Sequence, residues 1–175
     1  MTREVKILCG IPGVGKSTWA SKEVKFLEAD GYTTAIISRD AIRFALLEER
    51  GGDDYFAYED EVFDKFIHDI NEAIALGIDY VFVDATHINF RSRMKTLRRL
   101  TVDEHTTVVF EVFNFPLEVA LYRNGQREGI TRVPVSAVKS MWRGFHFPDE
   151  HEVSDIKNTL KWANEFTVHA HRKEE

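Results

Sequence analysis

Gly10-Ile11-Pro12-Gly13-Val14-Gly15-Lys16-Ser17 decides the fold of this chain. Two glycines enclosing four residues, followed at once by lysine and serine, make the spacing of a phosphate-binding loop. The apolar, β-branched run Val5 to Cys9 precedes it and a helix-length segment follows, which is the context the pattern requires. Each residue type has its own task. Glycines let successive backbone N–H groups turn inward onto phosphate oxygens, and the following helix adds the positive end of its dipole. Lys16 supplies charge and Ser17 offers a hydroxyl to Mg²⁺. Gly10, Gly13, Val14, Gly15 and Thr18 complete the expected nucleotide contacts. The alternative is a glycine-rich turn with an incidental lysine, and motif and flanks together argue against it. A bound nucleoside triphosphate is expected.

Outward from this loop, short apolar runs alternate with longer amphipathic ones. Val5 to Cys9, Thr34 to Ser38, Tyr80 to Asp84 and Thr107 to Phe113 read as strands, and Phe166 to His169 as a possible last one. Helices are expected over 15–30, 40–49, 54–76, 90–100, 116–127, 134–145 and 152–164. That order predicts an α/β fold with four or five mostly parallel strands between helices. Residues 1–170 are read as a single domain, with 171–175 as a frayed tail.

Composition narrows the class. With 43% hydrophobic and 30% charged residues in 175, the chain is globular in character. The net charge of −6 excludes a whole-molecule polycation, so any polyanion must meet a local patch. Residues 48–64 are strongly acidic, whereas residues 90–143 carry an excess of bases. A lone Cys9 rules out an internal disulfide and a multi-thiolate zinc site, and neither a signal-peptide core nor a membrane-length apolar run occurs. A soluble protein of a reducing cytoplasm is expected, with no membrane partner.

The segment Ser38-Arg39-Asp40-Ala41-Ile42-Arg43 follows the second strand. A carboxylate at a strand's C-terminal end is placed to accept a proton from an attacking hydroxyl, and Arg43, three residues on, faces the same side. Asp40 is therefore a candidate general base, with a helix cap as the alternative. The third strand ends in Val83-Asp84-Ala85-Thr86-His87-Ile88-Asn89. Asp84 suits a carboxylate that orients Mg²⁺, and Thr86, His87 and Asn89 suit an acceptor pocket. Asn89 is equally well placed to cap the next helix, and a lone histidine in a turn is more often a hydrogen-bonding loop residue.

Basic residues gather in two further places. Arg91, Lys95, Arg98 and Arg99 share a helical face on which a phosphate-bearing strand, or solvent alone, would lie. Arg123-Asn124-Gly125-Gln126-Arg127 then closes one helix ahead of Val133-Pro134. Arginines on a glycine-containing hinge suit a helical lid that brings positive charge onto a transferring phosphate, Arg123 and Arg127 pointing the same way.

The strings GIPGVGKSTWA, SRDAIR, VDATHINFRSR, RNGQR and VPVSAVKSMWRGF, in this order, resemble the kinase domain of the polynucleotide 5′-hydroxyl kinases, a family of P-loop kinases, over roughly residues 4–148. The resemblance implies ATP and Mg²⁺ as cofactors and transfer of the γ-phosphate to a 5′-hydroxyl end of RNA or DNA. It implies Lys16 and Ser17 at the phosphates, Asp40 as general base, Arg43 on the acceptor's phosphate and Arg127 at the γ-phosphate. In the third-strand loop the family's bacteriophage pattern is Ser-Asp-Thr-Asn, whereas this chain has Asp84-Ala85-Thr86-His87, an Asp-Ala-Thr form that several relatives share. No Asp-x-Asp-x-Thr motif occurs, so 3′-phosphatase activity is not expected. Oligomeric state is left open, and a small-molecule hydroxyl and a nucleotide-binding regulator without turnover are the rival functions.

Overall fold

The computed structural model describes residues 3–172. In chain order these form β1 (Arg3–Cys9), α1 (Lys16–Ala29), β2 (Thr34–Ser38), α2 (Arg39–Arg50), α3 (Glu59–Ala75), β3 (Tyr80–Asp84), α4 (Phe90–Leu97), β4 (Thr106–Asn114), α5 (Leu117–Gly125), α6 (Val135–Arg143), α7 (Glu150–Thr159) and β5 (Glu165–Arg172). A short 3₁₀ turn, Gly129–Thr131, lies between α5 and α6. The five strands pair in the order β2-β3-β1-β4-β5, every pair parallel. This is the expected α/β P-loop kinase fold.

Alternation along the strands separates two apolar layers. Val5, Ile7, Val81, Val83, Val108 and Phe110 face one way and pack with Phe66 and Ile70 of α3, Met94 of α4 and Ile156 of α7. Leu8, Phe82 and Phe113 face the other way and pack with Ala20 of α1, Ala120 of α5 and Val138 of α6. Parallel strands covered on both faces read as near-continuous apolar runs, which is why they stand out in the sequence. From β1 the chain crosses to β2 on one side and later to β4 on the other, so the loop after β1 opens at the point where the strand order reverses. Ligands bind outside the carboxyl ends of the strands at such a point.

Four boundaries differ from expectation by three residues or more, one of them the end of the helix expected over 152–164, which stops at Thr159. The helix read as starting at 54 begins at Glu59, because residues 51–58 form a turn-rich connection in which the Phe56 amide donates to Asp54 Oδ1. The basic helix stops at Leu97. His171 and Arg172, read as frayed, belong to β5, where Phe113 pairs with His171 and Asn114 with Arg172. The polar string His169-Ala170-His171-Arg172 hides a strand whose pairing with β4 is set by tertiary structure. Residues 173–175 of that expected tail lie outside the described residues. Among the described residues no helix is long and apolar enough to cross a membrane.

Candidate active site

The loop after β1 is built by close approach. Gly13 has φ +88, and a Cβ there would lie 2.5 Å from the Ala120 carbonyl oxygen of α5, so only glycine fits. Gly15, at φ +99, precedes the first turn of α1 and leaves that helix's N-terminal amides free of any side-chain cap. The Gly10 amide donates to Thr86 O at 2.7 Å, which ties the loop to the segment after β3. Buried Lys16 donates through Nζ to the carbonyl oxygens of Gly10, at 2.8 Å, and Ile11, at 3.0 Å. Burial pulls the Lys16 ammonium below its ordinary value, while the charges of Asp84 and Asp40 oppose that pull.

Ser17 Oγ donates to Asp84 Oδ2 at 2.6 Å. Burial raises the Asp84 carboxyl, against the charge of Lys16 and the Ser17 hydrogen bond. A serine hydroxyl beside a buried carboxylate is a pair of hard oxygen donors, and such a pair suits Mg²⁺.

Asp40 lines the same cleft as Lys16, Ser17, Asp84, Thr86 and Arg127, one that encloses about 170 Å³. It does not cap α2, since Ser38 Oγ accepts from the Ala41 amide at 3.2 Å. Its Oδ1 accepts from Arg43 Nη1 and from the Tyr55 hydroxyl, the latter at 2.9 Å. Oδ2 has no partner among the described residues, and the side chain is 50% exposed.

Arg43 differs from expectation in its surroundings. It is buried and held by Glu59, Asp40 and Tyr55 through Nε and Nη1. Of its nitrogens only Nη2 lacks a partner among the described residues, and Arg43 lines the cleft. Arg39 joins it on Glu59, Nη2 to Oε2 at 2.8 Å.

Other expected contacts divide. Thr86 lines the cleft and His87 does not. The His87 ring is buried, with Nδ1 2.9 Å from Leu8 O and Nε2 3.0 Å from Thr96 Oγ1, so both nitrogens are used inside the protein. Burial holds its pKa down to about 4. His87 is therefore corrected from an acceptor contact to a buried brace. Asn89 is the N-cap of α4, in a reciprocal capping box with Ser92. Arg91 is exposed but does not line the cleft, nor do Lys95, Arg98 and Arg99; Lys95 and Arg99 lean on the Phe63 ring.

In the segment expected to form a lid, Asn124 donates to Val133 O at 2.7 Å and accepts from the Val133 amide at 3.1 Å. Arg127 reaches the cleft, while Arg123 donates to Val14 O at 3.0 Å and lines a second, wider cleft instead. That one, of about 670 Å³, adjoins the first at Gly15 and Thr18 and is walled by Trp19, Phe113 and His171. The His171 ring stacks on Phe113 at 4.2 Å and its Nε2 lies 2.7 Å from Glu111 Oε2.

Sequence reasoning missed Tyr55, Phe56 and Glu59 in the first cleft, and Trp19 and His171 in the second. The first three lie in the acidic stretch, where charge density was the visible signal. His171 lay in the segment read as tail.

A family model described as an AAA domain matches residues 5–148. The L-seryl-tRNA(Sec) kinase of Methanococcus maripaludis is 27% identical over 152 residues, which is 86% of this chain and 55% of that protein. Among solved structures, a chain of the Pnkp1/Rnl/Hen1 RNA repair complex is similar at TM-score 0.63 and 21% identity, covering 91% of this chain and 46% of that one. An unliganded sugar kinase from Janibacter sp. is similar at TM-score 0.57 and 18% identity, covering 93% of this chain and 94% of that one. The chain thus spans about half the length of the seryl-tRNA kinase and of the repair-complex chain. The two structural likenesses speak to the fold.

Proposed function

The chain belongs to this AAA-domain family, of P-loop kinase fold, and on that premise we propose that it transfers the γ-phosphate of ATP to a 5′-hydroxyl end of RNA or DNA, with Asp40 taking the acceptor's proton. The observation that carries this is Asp40, its side chain 50% exposed and its Oδ2 without a partner among the described residues, lining one cleft with Lys16, Ser17 and Asp84.

The nucleoside of ATP would occupy the wider cleft between Trp19, Phe113, Arg123 and His171, whose volume falls in the range of small-ligand sites. Its phosphates would lie on the loop amides at the start of α1. Ser17 and Asp84 would hold Mg²⁺, which when bound neutralises charge on the phosphate oxygens.

An acceptor alcohol entering beside Asp40 gives its proton to Oδ2 as its oxygen bonds to the γ-phosphorus. The bond from that phosphorus to the bridging oxygen breaks, and ADP carries the electron pair away. Lys16 and Arg127 stabilise charge on the phosphoryl oxygens. Nη2 of Arg43, without a partner among the described residues, would take the first phosphate of the acceptor, and the exposed Phe56 ring its terminal base by stacking. Because the α4 arginines lie outside the cleft, contact with a polynucleotide would be confined to its end.

A free small-molecule hydroxyl is the second acceptor class. The apolar wall of Tyr55, Phe56, Val133 and Met141 favours it, since it narrows the acceptor side of the cleft. Transfer of labelled γ-phosphate from ATP to 5′-hydroxyl RNA and DNA oligomers, nucleosides and sugars separates the two. Labelling of oligomers well above monomers supports our proposal. Labelling of sugars or nucleosides alone rejects the polynucleotide acceptor, and no acceptor-dependent ADP release rejects kinase turnover.

A further inference from the structure

Asp40 has two carboxylate oxygens but its protein partners converge on one. Arg43 Nη1 and the Tyr55 hydroxyl both reach Oδ1, while Oδ2 has no partner among the described residues and the side chain lines the cleft. The tyrosine oxygen also accepts from Arg43 Nη1 at 3.2 Å, so three groups close a small ring of hydrogen bonds. Each has a distinct part: the guanidinium donates to both others, the phenol accepts one bond and donates one, and the carboxylate accepts.

The ring of Tyr55 adds a second hold. Arg43 Cζ lies over it at 4.6 Å, and Phe56 and Phe44 meet it edge-on at 4.8 and 6.1 Å. The guanidinium is thus fixed by an aromatic face on one side and by Glu59 at its Nε, at 2.6 Å. Burial and the charge of Asp40 push the Tyr55 phenol well above its ordinary value, so it remains a donor. Tyr55 comes from the connection between α2 and α3, whereas Asp40 and Arg43 sit on one turn of α2.

We propose that Tyr55 is a positioning residue for phosphoryl transfer: by donating to Asp40 Oδ1 it holds the carboxylate in the rotamer that presents Oδ2 to the acceptor hydroxyl. This rests on the assignment of Asp40 as general base. Nothing in the role requires Tyr55 to touch ATP, so its loss belongs in the chemical step rather than in nucleotide binding.

The test is a double-mutant cycle on Tyr55→Phe and Asp40→Asn, measured as γ-phosphate transfer from ATP to a 5′-hydroxyl RNA oligomer, with ATP affinity followed in parallel. Tyr55→Phe keeps the ring under Arg43 and deletes only the hydroxyl. It is expected to lower kcat about 10- to 100-fold, the effect of a lost hydrogen bond to a charged group or a misplaced reacting group. ATP affinity stays unchanged, which also shows that the fold is intact. The double variant should be no slower than Asp40→Asn alone, because without the base there is nothing left to orient. Full activity in Tyr55→Phe, or losses that simply multiply, would overturn the positioning role. Full activity in Asp40→Asn would instead remove the general base itself, and the tyrosine's role with it. An inactive Asp40→Asn beside a fully active Tyr55→Phe rejects the tyrosine alone.

Discussion

At the scale of single residues, two of the groups that look most reactive in the sequence are structural. His87 has φ +41 and is held by its own ring and by Arg93 Nη1, which donates to His87 O at 2.9 Å. Its pKa, depressed to about 4, makes it a stability element with a definite pH dependence. Unfolded, the ring binds a proton below about pH 6.5; folded, it resists until about 4. Stability is therefore undiminished above 6.5 and is lost as pH falls through that window, by about 3 kcal/mol in all. Denaturant unfolding at pH 7 and pH 5 should show a large difference that shrinks in His87→Gln; an equal difference in both would dismiss His87 as its source. Cys9 is the second case. It is fully buried, and burial raises its thiol to about 12. It should resist thiol reagents in the native protein at pH 8 and react at once in denaturant, whereas rapid native labelling would show that β1 opens.

At the scale of elements, a buried ion pair joins α4 to α7. Arg93 is fully buried, and its Nη2 meets Glu152 Oε2 at 2.8 Å and the His146 carbonyl oxygen at 3.0 Å. Removing one partner leaves an uncompensated buried charge, at a cost of about 3 to 5 kcal/mol. In a chain of this size Glu152→Ala should lower Tm by roughly 10 °C, and a shift of only a degree or two in a thermal melt would deny the pair that weight. Arg93 shows where sequence reading stops. It lies among four neighbours whose exposed, basic character was legible from spacing alone, yet its own partner is far along the chain in α7. The phosphate loop was legible because glycine, lysine and serine at fixed intervals do their work locally. Tyr55 and His171 were not, because their meaning comes from Asp40 on the preceding helix and Glu111 on a neighbouring strand. The turn before α3 was likewise masked by an acidic run that suits a helix's first turn.

At the scale of the whole molecule, the proposed function calls for contact with one end of an acceptor. The chain carries a net −6, and Arg91 and Arg98 lie away from the site. One phosphate contact through Arg43 predicts that raising salt from 50 to 200 mM weakens a 5′-hydroxyl RNA oligomer only about threefold, against about 20-fold for three contacts. Arg91→Ala with Arg98→Ala should then leave its KM unchanged, and a steep salt slope that this pair of substitutions flattens would place the strand along α4 instead. On the proposed reading, the two adjoining clefts, which share Gly15 and Thr18, take a donor and an acceptor that meet at Asp40. Single-turnover transfer from ATP to a 5′-hydroxyl RNA oligomer by Asp40→Asn, with nucleotide binding measured on the same sample, tests that meeting most directly. Loss of about 100- to 10,000-fold in rate with ATP still bound is the predicted result, and transfer at the unsubstituted rate would contradict it.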